Sequence, residues 1–265
     1  MRWLPVFRRE FGAAVTSPAH LLFAALFFAL LGILFSDTLA LFADASAGSQ
    51  AALTRIQEQA GSTVLNVNDY LARNFFGIVL GLLIFAVPFF TMRLIAEERK
   101  LGTYDLLLSY PLREIDLLLG KFFAAWAAVC LILGLSVLYP LLMAWLSGGQ
   151  IEVAPLVAGY LGLVCASAGF VAIGLLASSL TENQLVAGLL TLGLLLLGLL
   201  LGNLAPGESG WLSSTMQSLD LYERTEAFLS GVIRLADVMH FAFLTAAAIF
   251  LADKALIVRR LGVMR

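Results

Sequence analysis

Long apolar runs alternate with short polar stretches along this chain, and none of the runs shows the every-second-residue alternation of a half-buried strand. Six runs, over residues 19–35, 74–92, 122–146, 153–180, 185–204 and 238–258, approach or exceed the about 20 apolar residues of a helical membrane span. Each is free of charge except the last, where Asp253 and Lys254 sit near one end and can snorkel to the interface. A membrane β-barrel would show alternating segments of about ten residues instead. The pattern predicts an all-α, polytopic membrane protein with six transmembrane helices, organised as one domain over residues 1–265.

The segments between the runs add detail. In residues 1–18, Trp3, Leu4, Phe7, Phe11 and Val15 fall on one helical arc, and Arg2, Arg8 and Arg9 lie away from it. That arrangement predicts an N-terminal interfacial helix at the lipid headgroup boundary. A cleavable signal peptide is the competing reading, because Ala43, Ala45 and Ala47 supply small-residue patterns after an apolar stretch. The long lead-in and the intervening Asp37 and Asp44 favour a retained helix. Residues 36–73 are polar and alanine-rich. Residues 205–237 carry Leu221, Phe228, Leu229 and Val232 among charges, which predicts a short amphipathic helix on or dipping into the outer leaflet. Neither stretch is long enough for a domain of its own.

Composition agrees with the pattern. The chain is 61% hydrophobic and 13% charged, with a mean hydropathy of +0.95, more apolar surface than a soluble domain can hide. A net charge of −2 points to no nucleic acid. Cys130 and Cys165 lie inside apolar runs and read as inert buried thiols. His20 and His240 have no metal-ligand spacing around them, so no metal site is expected. Gly120-Lys121 resembles the end of a phosphate-binding loop, but Ile115 stands where the first glycine belongs and Phe122 follows the lysine. The spans carry no ionisable residue at their middle, where an ion-driven carrier would need one. Catalysis is therefore not expected in this chain. The milder polar groups, among them Asn74, Thr91, Ser136, Tyr139, Ser167, Ser178, Thr191 and Asn203, are expected mostly to bond their own helices.

Charge sets the expected orientation. With the N-terminus inside, twelve basic residues are cytoplasmic: Arg2, Arg8, Arg9, Arg93, Arg99, Lys100, Arg113, Lys121, Lys254, Arg259, Arg260 and Arg265. Only Arg55, Arg73, Arg224 and Arg234 are outside. The positive-inside rule then places both termini in the cytoplasm and residues 36–73 and 205–237 outside. Packing signals are present too. Gly77 with Gly81 and Gly198 with Gly202 form GxxxG pairs, candidates for a subunit interface, and Ala158, Gly162, Ala166 and Gly169 lie near one face of the fourth run. Pro88 and Pro140 are expected to kink the second and third spans.

The most telling stretch is the charged island over residues 93–121. Glu97, Glu98, Arg99 and Lys100 form a charged turn, and Gly102 suits a left-handed helix end. Thr103 suits the N-cap of a new short helix, with Asp105 in its first turn and Leu106, Leu107 and Leu108 as its apolar body, stopped by Pro111. Lys121 marks the start of the third span. The plain reading is a loop obeying charge rules. The sharper reading is a cytoplasmic coupling helix that docks in a cleft of a soluble motor, with Glu98 or Asp105 free to pair with a basic residue there.

At these residues the chain resembles the permease subunits of ABC-2-type transporters, in particular the gliding-motility (GldF-like) branch. The resemblance rests on Phe7-Arg8-Arg9-Glu10 with Thr16-Ser17-Pro18, and on Pro88 to Met92 followed by Arg93-Leu94-Ile95-Ala96-Glu97-Glu98-Arg99. It continues through Gly102-Thr103, Leu106-Leu107-Leu108 with Pro111, Gly120-Lys121-Phe122, Gly159-Tyr160-Leu161-Gly162 and Ser178-Ser179-Leu180-Thr181-Glu182-Asn183-Gln184. Tyr104-Asp105 and Ala19-His20 depart from the usual pattern. The resemblance implies an exporter in the bacterial inner membrane, built from two ATPase subunits and two permeases, the second a copy or a relative of this one. A large extracytoplasmic accessory subunit belongs to the gliding branch. No cofactor is implied in this chain; ATP and magnesium would sit in the partner ATPase. Coupling would fall to Glu97, Glu98, Arg99, Gly102, Thr103, Asp105, Leu106, Leu107 and Leu108, with Thr181, Glu182, Asn183 and Gln184 as a second contact. The alternative is a membrane anchor or assembly component of ATPase-driven extracytoplasmic machinery, without substrate flux.

Overall fold

The computed structural model describes residues 3–46, 54, 67–104, 113–146, 153–204 and 216–260. Among them the regular structure is entirely helical. Six helices are long and apolar enough to cross a membrane, over Pro18–Ala40, Arg73–Lys100, Glu114–Leu142, Ala154–Leu180, Gln184–Gly202 and Leu235–Arg259. In lipid the backbone must satisfy its own hydrogen bonds, and a helix does so within one segment.

The chain opens with α1 (Leu4–Thr16). Ser17 is extended, as a residue before proline must be, and α2 (Pro18–Ser46) starts at Pro18. Thr16-Ser17-Pro18 is thus the corner between an interfacial helix and the first span. The residues of α1 turned to the bundle are Trp3, Val6, Phe7, Glu10, Phe11 and Ala14, while Leu4 and Val15 are exposed. The packed arc is rotated from the expected one because it includes a carboxylate, for a reason given below.

The second span is α3 (Val67–Thr91), which carries Pro88 inside a continuous helix, followed by the short α4 (Ala96–Lys100). The third span is two helices, α5 (Glu114–Ser136) and α6 (Leu138–Leu146). The break at Val137 has its cause in Pro140, which cannot donate to Ser136 and whose ring crowds that carbonyl. Helix α5 begins at Glu114 and not at Lys121 as the charge pattern suggested; Arg113 is its extended N-cap, and Glu114 and Asp116 suit the dipole of its first turn.

Helix α7 (Val153–Leu180) is the centre of the bundle, packed by α3, α5, α8 (Gln184–Leu204), α9 (Leu221–Leu229) and α10 (Leu235–Arg260). Its small residues make this possible. A side chain on Gly159 would collide with the Phe76 ring of α3, and one on Gly174 with Thr91 of the same helix. One on Gly162 would collide with Phe228 of α9, and one on Gly169 would press on Leu244 and Phe241 of α10. Helix α9 is the expected amphipathic helix between the fifth and sixth spans. Asp220 caps its start by accepting from the Tyr222 N–H at 2.9 Å. Gly231, at φ +77°, closes it in a Schellman turn, with the Val232 and Gly231 N–H groups donating to Ala227 and Phe228. Its buried face carries Leu221, Thr225, Ala227, Phe228 and Leu229, so it dips back among the spans. Arg73 of α3 pairs with Glu226 of α9 at 2.5 Å, and Arg224 with the buried Asp237 at 3.1 Å.

The polar residues of the spans divide into two groups. Thr91, Ser136, Ser167 and Thr191 donate back to their own helices, to Val87, Leu133, Val164 and Ala187. Asn74 donates to Thr38 at 2.7 Å, Tyr139 to the Phe28 carbonyl at 2.8 Å, and Ser178 joins three segments as described next. The side chain of Asn203 lies outside the described residues.

Candidate functional site at the α1 end of the bundle

The charged turn after α3 is held by the end of α7. Helix α4 has no side-chain cap of its own. The Ile95 and Ala96 N–H groups donate instead to the hydroxyl of Ser178, each at 3.1 Å, and that hydroxyl donates to the Met92 carbonyl at 3.3 Å. Ser178 is fully buried. Without it, two backbone donors would be left without a partner, at about 1–3 kcal/mol each. One turn later Arg99 donates to the Ser179 carbonyl at 3.1 Å and to Glu182 at 3.0 Å. Arg259 of α10 donates to the Leu180 carbonyl. Thr181 accepts from the Asn183 N–H at 3.1 Å, and Asn183 caps α8 by accepting from the Leu185 N–H at 2.9 Å. The Ser-Ser-Leu-Thr-Glu-Asn-Gln stretch therefore has a local physical explanation: its serines grip α4 and its later residues turn the chain and start α8.

Beside this clamp is a cluster of charges drawn from three helices. Lys121 of α5 lies 2.8 Å from Glu98 of α4 and 3.2 Å from Glu10 of α1. Arg9 closes the ring, 3.1 Å from Glu98 and 2.9 Å from Glu10. The Lys121 side chain is 1% exposed, that of Glu98 13% and that of Glu10 18%. A lysine this deep keeps its charge only with opposite charges against it. Gly120 explains how α1 comes so close. A Cβ there would stand within 3.0 Å of Val6 and of the Trp3 carbonyl. Trp3 lies on Phe123 with ring centroids 5.2 Å apart. Gly120-Lys121 thus forms the seat of the interfacial helix, one residue by its lack of a side chain and the next by its charge.

The structure brings Glu97, Glu98, Arg99, Gly102 and Thr103 to the same end as Thr181, Glu182, Asn183 and Gln184. Gly102 has φ +68°, the left-handed helix end expected of it. Thr103 is helical, and its hydroxyl donates backward to the Glu98 carbonyl at 3.2 Å, where a forward cap was expected. Asp105, Leu106, Leu107 and Leu108, with Pro111, lie outside the described residues. Glu98 is not a free charge awaiting a partner protein, because Lys121 and Arg9 occupy it within the chain. Glu182 is 63% exposed and bonded to Arg99. Of the glycine pairs, Gly198 and Gly202 face Leu221 and Asp220, so within this chain they receive the start of α9; Gly77 and Gly81 have open space before them.

Sequence reasoning missed Glu10 and Lys121 as members of the site, and Ser178 as a joint. The signal for Glu10 was present: a carboxylate between Phe7 and Phe11, on the face of α1 that should be apolar. Nothing in the sequence named its partner.

A family model described as ABC-2 family transporter protein matches residues 4–252 of this chain. The chain belongs to the ABC-2 transporter family. No curated protein matches it. As an ABC-2 family member with six apolar helices, it is a multi-pass membrane protein consistent with a permease subunit, the membrane component that associates with an ABC ATPase. The matched region takes in both the α4 turn and the 181–184 turn that the structure joins.

Proposed function

We propose that this chain is the permease subunit of an ATP-driven exporter of the gliding-motility branch, working with two copies of a separate ATPase and a second permease. Substrate crosses the bacterial inner membrane, and a large extracytoplasmic subunit completes the assembly. The α1 end faces the cytoplasm and α9 the outside, as the basic-residue count favours. The observation that carries this reading is the clamp of α4 onto α7 by Ser178 and Arg99. A push delivered to the 97–108 segment by closing ATPase subunits would pass to α7, and α3, α9 and α10 all rest on α7. A floppy loop could not transmit it.

Orientation is tested on a variant lacking Cys130 and Cys165. A cysteine at the exposed Glu223 should react with an impermeant reagent from outside intact cells, and one at the exposed Lys100 only after the membrane is opened. The reverse order would overturn the arrangement.

Coupling is tested by Leu106→Asp, Leu107→Asp and Leu108→Asp, each measured for co-purification of the ATPase, for ATP hydrolysis by the complex and for substrate flux in vesicles. A buried leucine contributes about 1.5–3 kcal/mol, whereas an exposed ion pair contributes about 0–1 kcal/mol. The most damaging aspartate should therefore cost more assembly or hydrolysis than Glu182→Gln. Three leucine variants that assemble, hydrolyse and transport like the parent would refute the coupling role. Hydrolysis without flux in the intact complex would instead favour the anchor reading.

A further inference from the structure

At the α1 end a cleft of about 350 Å³ opens between α1, the foot of α2, the α3–α4 corner and α5. Its volume is at the low end for a small-molecule site, the size of a headgroup and not of a whole lipid. Its deep wall is apolar, with Phe90, Ala124 and Ala125, and its rim carries Arg93, Glu97 and Glu98. Three observations define what fits there. First, Arg93 and Glu97 form no ion pair among the described residues, although the other rim charges do. Second, one oxygen of Glu98 takes Lys121 and Arg9, while Oε2 is shielded from solvent and has no hydrogen-bond partner among the described residues. Such an acceptor calls for a donor. Third, the cleft is neutral in sum, since Arg9, Arg93 and Lys121 balance Glu10, Glu97 and Glu98. A net anion or a net cation would meet an unfavourable charge; a zwitterion with the two charges a few bonds apart would not.

We propose that this cleft binds the headgroup of a primary-amine phospholipid from the leaflet at the α1 end. Its phosphate lies on Arg93, and its ammonium donates to Glu97 and to Glu98 Oε2. A bilayer supplies such a molecule where an interfacial helix lies, and the exposed Leu4 and Val15 of α1 are placed to meet its acyl chains. The discriminating element is the N–H donor. A choline headgroup has the same charges and phosphate but no N–H, and a glycerol headgroup has no cation.

The test offers the delipidated, full-length protein equal amounts of phosphatidylethanolamine, phosphatidylcholine and phosphatidylglycerol with identical acyl chains. Bound lipid is counted by native mass spectrometry. Charge-assisted hydrogen bonds of this kind predict retention of the ethanolamine lipid about tenfold above the other two. Glu97→Gln should bring it down to the choline level, Arg93→Ala should lower both the ethanolamine and the choline lipid, and Lys100→Gln, outside the cleft, should change nothing. Equal retention of the three lipids by the parent would overturn the site. So would an ethanolamine preference that survives both Glu97→Gln and Arg93→Ala.

Discussion

Lys121→Ala is expected to be the most damaging single truncation at the α1 end. It would leave Glu10 and Glu98 facing each other in a site with little water, and removing one member of a buried ion pair costs about 3–5 kcal/mol. The loss should appear as a lower unfolding temperature in detergent. It should also free α1, because Glu10 is the one charged residue on its packed face. Proteolysis within residues 4–16 should accordingly quicken. The cost arises from uncompensated charge and not from lost attraction, so removing all the charge should recover most of it. Lys121→Met with Glu10→Gln and Glu98→Gln is the variant to compare. An alanine variant that unfolds with the parent, or a triple variant no better than the single one, would show that the cluster is a solvated surface feature.

Side chains added to the central helix are the second large effect, and their rescue should separate two kinds of close approach. Gly159→Ala drives a methyl into the tip of the Phe76 ring, and Gly162→Ala drives one into the Cβ and Cγ of Phe228. Overpacking a tight core costs about 1–3 kcal/mol. The ring of Phe76 ends there, so Phe76→Leu should relieve much of the Gly159→Ala penalty. Phe228→Ala should not relieve Gly162→Ala, because alanine keeps the Cβ that collides and α9 itself must move. Gly134→Ala is the control: open space lies before it, and alanine inside a helix should gain about 0.5–1 kcal/mol over glycine. Thermal unfolding of the five variants is the measurement. Equal losses for Gly134→Ala and Gly162→Ala would mean that α9 is not seated on α7.

What the sequence by itself determined about this protein is whatever depends on residues close together in the chain. The six spans are legible because length and apolarity are local, and because lipid allows an exposed backbone few structures other than a helix. The corner at Pro18, the break three residues before Pro140 and the left-handed Gly102 follow from what proline and glycine do to their own backbones. Even the short helix between the fifth and sixth spans was visible in its amphipathic pattern.

Tertiary structure decided which faces meet. Glu10 and Lys121 are 111 residues apart, and no local pattern announces that they share a proton-rich contact. Ser178 looked like a serine bonding its own helix and instead holds two N–H groups 82 and 83 residues away. Gly198 and Gly202 carry the same spacing as Gly77 and Gly81, yet one pair receives α9 and the other faces open space. A glycine pair states only that something can come close. What comes close is set by how the helices are arranged around α7, a property of all six spans together and of no single one.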